Sequence, residues 1–185
     1  MKKTLYFLTV MMVLLIVLTG CGENTENPLT DEEAKEIIRN ARTIESYFTA
    51  TTVPEDKNAD SLLIGDNIYY LVSSESKYQT YNELKDALKE VFTEQTAEGY
   101  LGTDLYKEHE GKLYVKPTVY KEFVDWSKME LNVEKVNTDG SIEYMVNVPT
   151  IESLKQYYTG INGEKYYIVI QKDLKISNFQ YVAEY

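Results

Sequence analysis

Residues 129–149, MELNVEKVNTDGSIEYMVNVP, alternate apolar and polar side chains on either side of a short polar break. Met129, Leu131 and Val133 recur at the two-residue period of a strand buried on one face. Asn137, Thr138, Asp139 and Gly140 supply turn chemistry, residues 142–148 return, and Pro149, which has no amide proton to give a sheet, closes the strand. An antiparallel pair is expected here. Beyond it, residues 151–159 read as another strand, although Glu152, Leu154 and Lys155 also suit a helix. Residues 160–163 turn into a strand at 165–171, and a last strand covers 175–182.

Working back toward the N-terminus, residues 106–115 form a hairpin signal centred on Glu110-Gly111. Thr80-Tyr81-Asn82-Glu83 is a capping box, and Leu84, Ala87, Leu88, Val91 and Phe92 follow at helical spacing, so a helix is expected to stop near Thr93. Residues 96–101 add a short helical turn interrupted at Gly99. Residues 64–72 read as a strand or hairpin turning at 65–67, and residues 54–61 as loop. A second capping box, Thr30-Asp31-Glu32-Glu33, opens a helix whose inward face is Ala34, Ile37, Ile38, Ala41, Ile44 and Phe48. Helices followed by a meander imply a single α+β domain over residues 30–185. In it, two N-terminal helices pack on a curved antiparallel sheet.

The first residues carry a different signal. Lys2 and Lys3 precede an apolar run at 5–18, which falls short of the roughly twenty residues needed to span a bilayer. The run ends in Leu18-Thr19-Gly20-Cys21, similar to a bacterial lipobox, and Cys21 is the single cysteine of the chain. Residues 1–20 are therefore expected to be a signal peptide, Cys21 to carry lipid, and residues 21–29 to form a lipidated tether. The domain would then sit on the outer side of the cell membrane, held by acyl chains such as palmitate. With Cys21 lipidated, no disulfide can form.

The formal net charge is −11, which repels nucleic acid and anionic lipid and favours basic partners. Seventeen tyrosines against five phenylalanines suit half-buried strands with hydroxyls facing water or a partner. Reactive groups are scarce. The only histidine, His109, lies in a charged turn, and no metal-binding or phosphate-cradling motif occurs, so neither metal nor cofactor is expected. Residues 56–60 and 137–140 resemble calcium loops faintly, and read more simply as solvated turns. The composition points to a protein that binds rather than catalyses.

From Tyr69-Tyr70-Leu71 onward the order of signals resembles the IseA family of D,L-endopeptidase inhibitors. These secreted proteins restrain cysteine-type peptidoglycan hydrolases of the Gram-positive wall. Matching pieces are Thr80, Leu84, Leu88, Phe92 and Thr93, then Gly111-Lys112-Leu113, Pro117, Trp126, and Val148-Pro149. The resemblance implies an inhibitor that plugs a basic hydrolase cleft with a loop between Val115 and Trp126, using Lys116, Thr118, Val119, Tyr120, Lys121, Glu122 and Asp125; the chain is expected to be a monomer. Unlike its relatives, this chain has no glycine there and carries mixed charge. Independently of the family, Val119, Tyr120 and Phe123 beside charges have the composition of an interface. Alternatively, Val119, Phe123 and Trp126 could face the core from a short helix, a reading favoured for Trp126 and left open for Phe123.

Two other functions fit the same residues. One is a small-ligand or peptide-binding lipoprotein of cystatin-like or cone-shaped α+β fold, with tyrosines lining a pocket between sheet and helices. The other is a carboxylate-dependent glycan hydrolase, which requires two facing carboxylates, one of them kept protonated.

Overall fold

The computed structural model describes residues 29–118, 122–157 and 162–182. Helix α1 (Asp31–Thr49) starts as its capping box dictates. The Thr30 hydroxyl accepts the Glu33 amide at 3.3 Å, and the Glu33 carboxylate accepts the Thr30 amide at 2.8 Å. Ala34, Ile38, Ala41, Ile44 and Phe48 are buried along one face. Helix α2 (Tyr81–Val91) repeats the arrangement with Thr80 and Glu83, whose carboxylate also takes the Gln79 amide at 2.7 Å. Phe92 then leaves the helix in extended backbone and bridges to Ile176, while the Thr93 amide donates to the Ile176 carbonyl at 3.0 Å. Helix α3 (Glu94–Leu101) follows, with the Thr96 hydroxyl on the Ser177 carbonyl at 2.8 Å. These bonds fasten the helices to the start of the last strand.

The strands form two antiparallel sheets. Strands β1 (Glu55–Asp56), β2 (Leu62–Ile64), β3 (Asn67–Val72), β4 (Tyr106–His109) and β5 (Lys112–Val115) run in the order β1-β3-β5-β4, with β2 also paired to β3. The β4–β5 turn places both Glu110 and Gly111 at positive φ, the mirror-image turn whose twist matches a hairpin. Strands β6 (Glu130–Val136), β7 (Ile142–Pro149), β8 (Gly163–Ile170) and β9 (Ile176–Val182) are neighbours in chain order. Tyr144 lies opposite Val133 and Ile168, and Val146 opposite Leu131 and Tyr166. The alternation turns Ile142, Tyr144, Val146 and Val148 into the core with Tyr166, Ile168 and Ile170. That set joins Ile38, Phe48, Leu84 and Leu88 of the helices in one apolar cluster.

The α+β architecture expected from the sequence is present, with four differences. The strands divide into two sheets rather than one curved sheet, and residues 94–101 make a third helix. Gly99 does not interrupt that helix: it is exposed with open space where a Cβ would be, while buried Ala97 anchors the helix inward. Glu55 and Asp56, expected in a loop, pair with Val72 and Leu71. Within 151–159, residues 151–157 hold no strand: Glu152–Leu154 is a short 3₁₀ turn, and residues 158 and 159 lie outside the described residues. The chain leaves the sheet there because the Thr150 amide bonds to Asn162 and the Ile151 amide to Phe123 rather than to a neighbouring strand.

Three tyrosines differ from expectation, since their hydroxyls are tied to the protein itself, whereas Tyr181 on β9 is exposed as expected. Tyr69 donates to the Asp104 carboxylate at 2.9 Å, Tyr81 to the Leu101 carbonyl at 3.2 Å and Tyr106 to the Tyr47 carbonyl at 2.5 Å. Such bonds let a large ring be buried without stranding its polar end.

Candidate functional site

The segment leaving β5 is fastened at both ends. On the first side the Lys116 amide donates to the Leu105 carbonyl at 2.8 Å, and the Thr118 hydroxyl reaches the Ala50 carbonyl at 2.6 Å and the hydroxyl of Thr51. Thr51 itself follows α1 at φ 48°, a left-handed conformation unusual for a β-branched residue. On the other side Val124 bridges to Thr150, the Asp125 amide donates to the Pro149 carbonyl, and the Phe123 carbonyl accepts the Ile151 amide, the last two at 2.8 Å. The Asp125 carboxylate caps the following 3₁₀ turn, accepting the Ser127 amide at 3.1 Å and pairing with Lys128 at 3.1 Å. Bonds from the Ser127 hydroxyl and Lys128 hold the Asp125 carboxyl below its ordinary range.

Four of the seven residues expected to form an inhibitory loop are thus placed. Lys116 and Thr118 make the first stem, Glu122 and Asp125 the second. Val119, Tyr120 and Lys121 lie outside the described residues, as do residues 1–28 with Cys21, where a signal peptide and tether are expected. The two alternatives for the aromatic residues resolve differently. Phe123 is 37% exposed, whereas Trp126 is half-buried at the edge of the core rather than within it.

Glu122 leads to an arrangement that sequence reasoning missed. Arg42 of α1 lies beneath the second stem, ion-paired to Glu45 one turn along the helix and, at 3.3 Å, to Glu122. The Arg42 and Glu45 side chains are only 11% and 12% exposed, and the guanidinium carbon stands 5.6 Å from the centre of the Trp126 ring. The i,i+3 spacing of Arg42 and Glu45 was visible in the sequence. Its use as a support for a segment 80 residues away was not.

Beside this pair runs a groove of about 400 Å³ between α1 and the last two strands, lined by Thr49, Phe123, Glu164, Tyr166, Phe179 and Tyr181 together with Arg42 and Glu45. Its aromatic wall is continuous. Trp126 and Tyr166 rings are 4.8 Å apart, Tyr166 and Phe179 5.6 Å, and Tyr166 and Tyr181 5.7 Å. Nearby Tyr100 is pushed up to about 12 by burial, with the Glu45 carboxylate adding to the effect.

Elsewhere the polar clusters have structural roles. His109 is exposed at the end of β4, 3.8 Å from Glu110. In the two turns with faint calcium-loop character, Asp56 accepts the Asn58 amide at 2.9 Å, and Asp139 accepts the Ser141 amide at 2.9 Å and its hydroxyl at 2.8 Å. Among the described residues, no group of three or more His, Cys, Asp or Glu is placed to hold a metal ion. Among the described residues, the carboxyls of Asp104, Asp125, Asp139 and Glu143 are held below their ordinary range, chiefly by hydrogen bonds. Carboxylate-dependent hydrolysis needs the opposite, an acid held protonated. A further surface feature is the β2–β3 hairpin, where Leu63, Ile64 and Ile68 are exposed.

Compared with known families, the model describing IseA DL-endopeptidase inhibitors matches residues 25–167, from ahead of α1 into β8. No curated protein matches the chain.

Proposed function

The chain belongs to the IseA family of DL-endopeptidase inhibitors, and on that premise we propose that it restrains a cysteine-type D,L-endopeptidase of the Gram-positive wall by seating residues 116–125 in the enzyme's cleft. The observation that carries this mechanism is the fastening of both stems, Thr118 to the end of α1 and residues 123–125 to residues 149–151. A segment whose ends are already fixed loses less conformational freedom on docking, so more of its contact energy appears as affinity. Val119, Tyr120 and Lys121, which lie between the two stems in sequence, are the residues we propose meet the enzyme, and the negative charge of −11 steers the molecule toward a basic cleft. The chain itself performs no covalent chemistry in this account and uses no cofactor.

Residues 1–20 serve as a signal peptide in this reading, and lipid on Cys21 keeps a monomeric ectodomain at the outer face of the cell membrane. Residues 21–29 tether it there. Mass spectrometry of the cell-expressed protein is expected to find acyl chains on Cys21. An unmodified thiol on an intact N-terminus would contradict the anchor without touching the inhibitor.

Cleft insertion has its own test. Iodoacetamide should alkylate the catalytic cysteine of a D,L-endopeptidase in the free enzyme, and at least about tenfold more slowly in the complex, since the cleft is filled. Unchanged alkylation in a complex that no longer cleaves peptidoglycan would place the binding surface elsewhere. The small-ligand alternative is less well supported, because the core between helices and sheets is filled by Ile38, Phe48, Leu88, Tyr144 and Ile168, each fully buried, and the tyrosine-lined groove beside α1 is open at the surface rather than enclosed.

A further inference from the structure

The groove between α1 and the last two strands combines two features that recognise one kind of group. Its wall is aromatic and partly open, with Tyr181 55% exposed and packed edge-on to Tyr166. At its mouth stands the Glu164 carboxylate, which accepts the Tyr166 hydroxyl at 2.5 Å and has no ion-pair partner among the described residues. Tyr166 and Glu164 are two residues apart on β8 and therefore share a face, and Tyr181 is directly opposite Tyr166 on β9. Among the described residues, the cation that lines the groove, Arg42, is held by Glu45 and Glu122.

We propose that this groove receives an arginine side chain of the partner hydrolase, the guanidinium lying on Tyr181 and Phe179 and bonding to Glu164. Planar guanidinium stacks on aromatic faces and matches a carboxylate's two oxygens, which an ammonium does less well. Charge argues the same way. The groove adds Glu164 to a locally balanced Arg42–Glu45 pair on a chain of net charge −11, so a basic occupant is favoured over an acidic or neutral one. Phe123 lines the groove and belongs to the second stem, so an inserted segment and a bound arginine would meet the same enzyme side by side. This assignment rests on the inhibitor reading.

Trp126 is the only tryptophan in the chain and touches Tyr166 and Phe179, so its fluorescence reports on the groove. N-acetyl-arginine amide, titrated into the full ectodomain, is expected to change that emission saturably, whereas the neutral N-acetyl-citrulline amide is not. Glu164→Gln or Tyr181→Ala should weaken the arginine response about tenfold. Equal responses to arginine and citrulline, or to arginine and N-acetylglucosamine, would overturn the proposal, as would an undiminished response in both variants. Circular dichroism checks that each variant is folded.

The same variants are then assayed against a D,L-endopeptidase. If wild type and variants inhibit equally, the groove assignment fails and the inhibitor reading stands. If wild type does not inhibit although the arginine response is present, the inhibitor reading fails and takes the assignment of the partner with it. Inhibition weakened about tenfold in both variants supports the proposal.

Discussion

Arg42 is the residue on which most of the site converges. Its guanidinium touches α1 through Glu45, the second stem through Glu122, and the aromatic wall through Trp126. Removing Glu45 takes the nearly buried partner from Arg42 and leaves its charge beside the more exposed Glu122, which costs more than the Arg42–Glu45 pair contributes. Glu45→Ala is therefore expected to lower the unfolding free energy by about 3 kcal/mol in urea titration, and pairing it with Arg42→Met to recover most of that loss. A loss under about 0.5 kcal/mol would mean that water already solvates the pair. The acidic turns make a different prediction. Asp139 and Asp125 have folded-state carboxyls held below the unfolded value, the first chiefly by the Ser141 amide and the second by the Ser127 hydroxyl. Their stabilisation is therefore present above about pH 4, the unfolded value, and is lost as pH falls further toward the folded one. The urea midpoint should drop on acidification through that window, and Asp139→Asn should make the drop shallower. An identical pH profile in the variant would remove Asp139 from the account.

At the level of elements, the junction of β7 and β8 is the most demanding. Gly163 pairs with Pro149 at φ 156°, and a Cβ there would stand 2.4 Å from the Val148 carbonyl oxygen and 3.1 Å from the Pro149 Cα. Neither neighbour is a flexible side chain that can swing aside. Gly163→Ala is expected to destabilise the protein by about 2 kcal/mol or more, measured by urea unfolding, while Gly99→Ala in α3 should stabilise it by up to about 1 kcal/mol. Equal effects would mean that the sheet opens at this corner without cost. The elements that sequence reading placed correctly are those whose cause is local. Thr30 with Glu33 and Thr80 with Glu83 announce two helices within four residues each, and the alternation of 129–149 needs no knowledge of the rest. What escaped it is set over long range. Residues 151–157 lose their strand to bonds with Phe123 and between Thr150 and Asn162, and the position of Trp126 depends on α1 and β8 together. Lys116, Thr118, Glu122 and Asp125 could be named from the sequence as candidates for the proposed segment. That Asp125 would serve as a cap and Glu122 as an ion-pair partner of α1 required the fold.

The whole molecule presents a strongly acidic surface on one apolar core, with a segment fixed at both stems and an aromatic groove alongside it. In the proposed complex, long-range attraction to a basic enzyme would make association faster and sensitive to ionic strength, and buried contacts at the segment and groove would decide how long the complex lasts. Both contributions matter only if the molecule stops its target. The direct measurement is peptide-bond cleavage of purified peptidoglycan by a cysteine-type D,L-endopeptidase, titrated with the ectodomain at low salt. Cleavage is expected to fall in proportion to added protein and to end near one inhibitor per enzyme, with weaker inhibition as salt is raised. Full cleavage in micromolar excess of the ectodomain, across the endopeptidases of the source organism, would contradict the account.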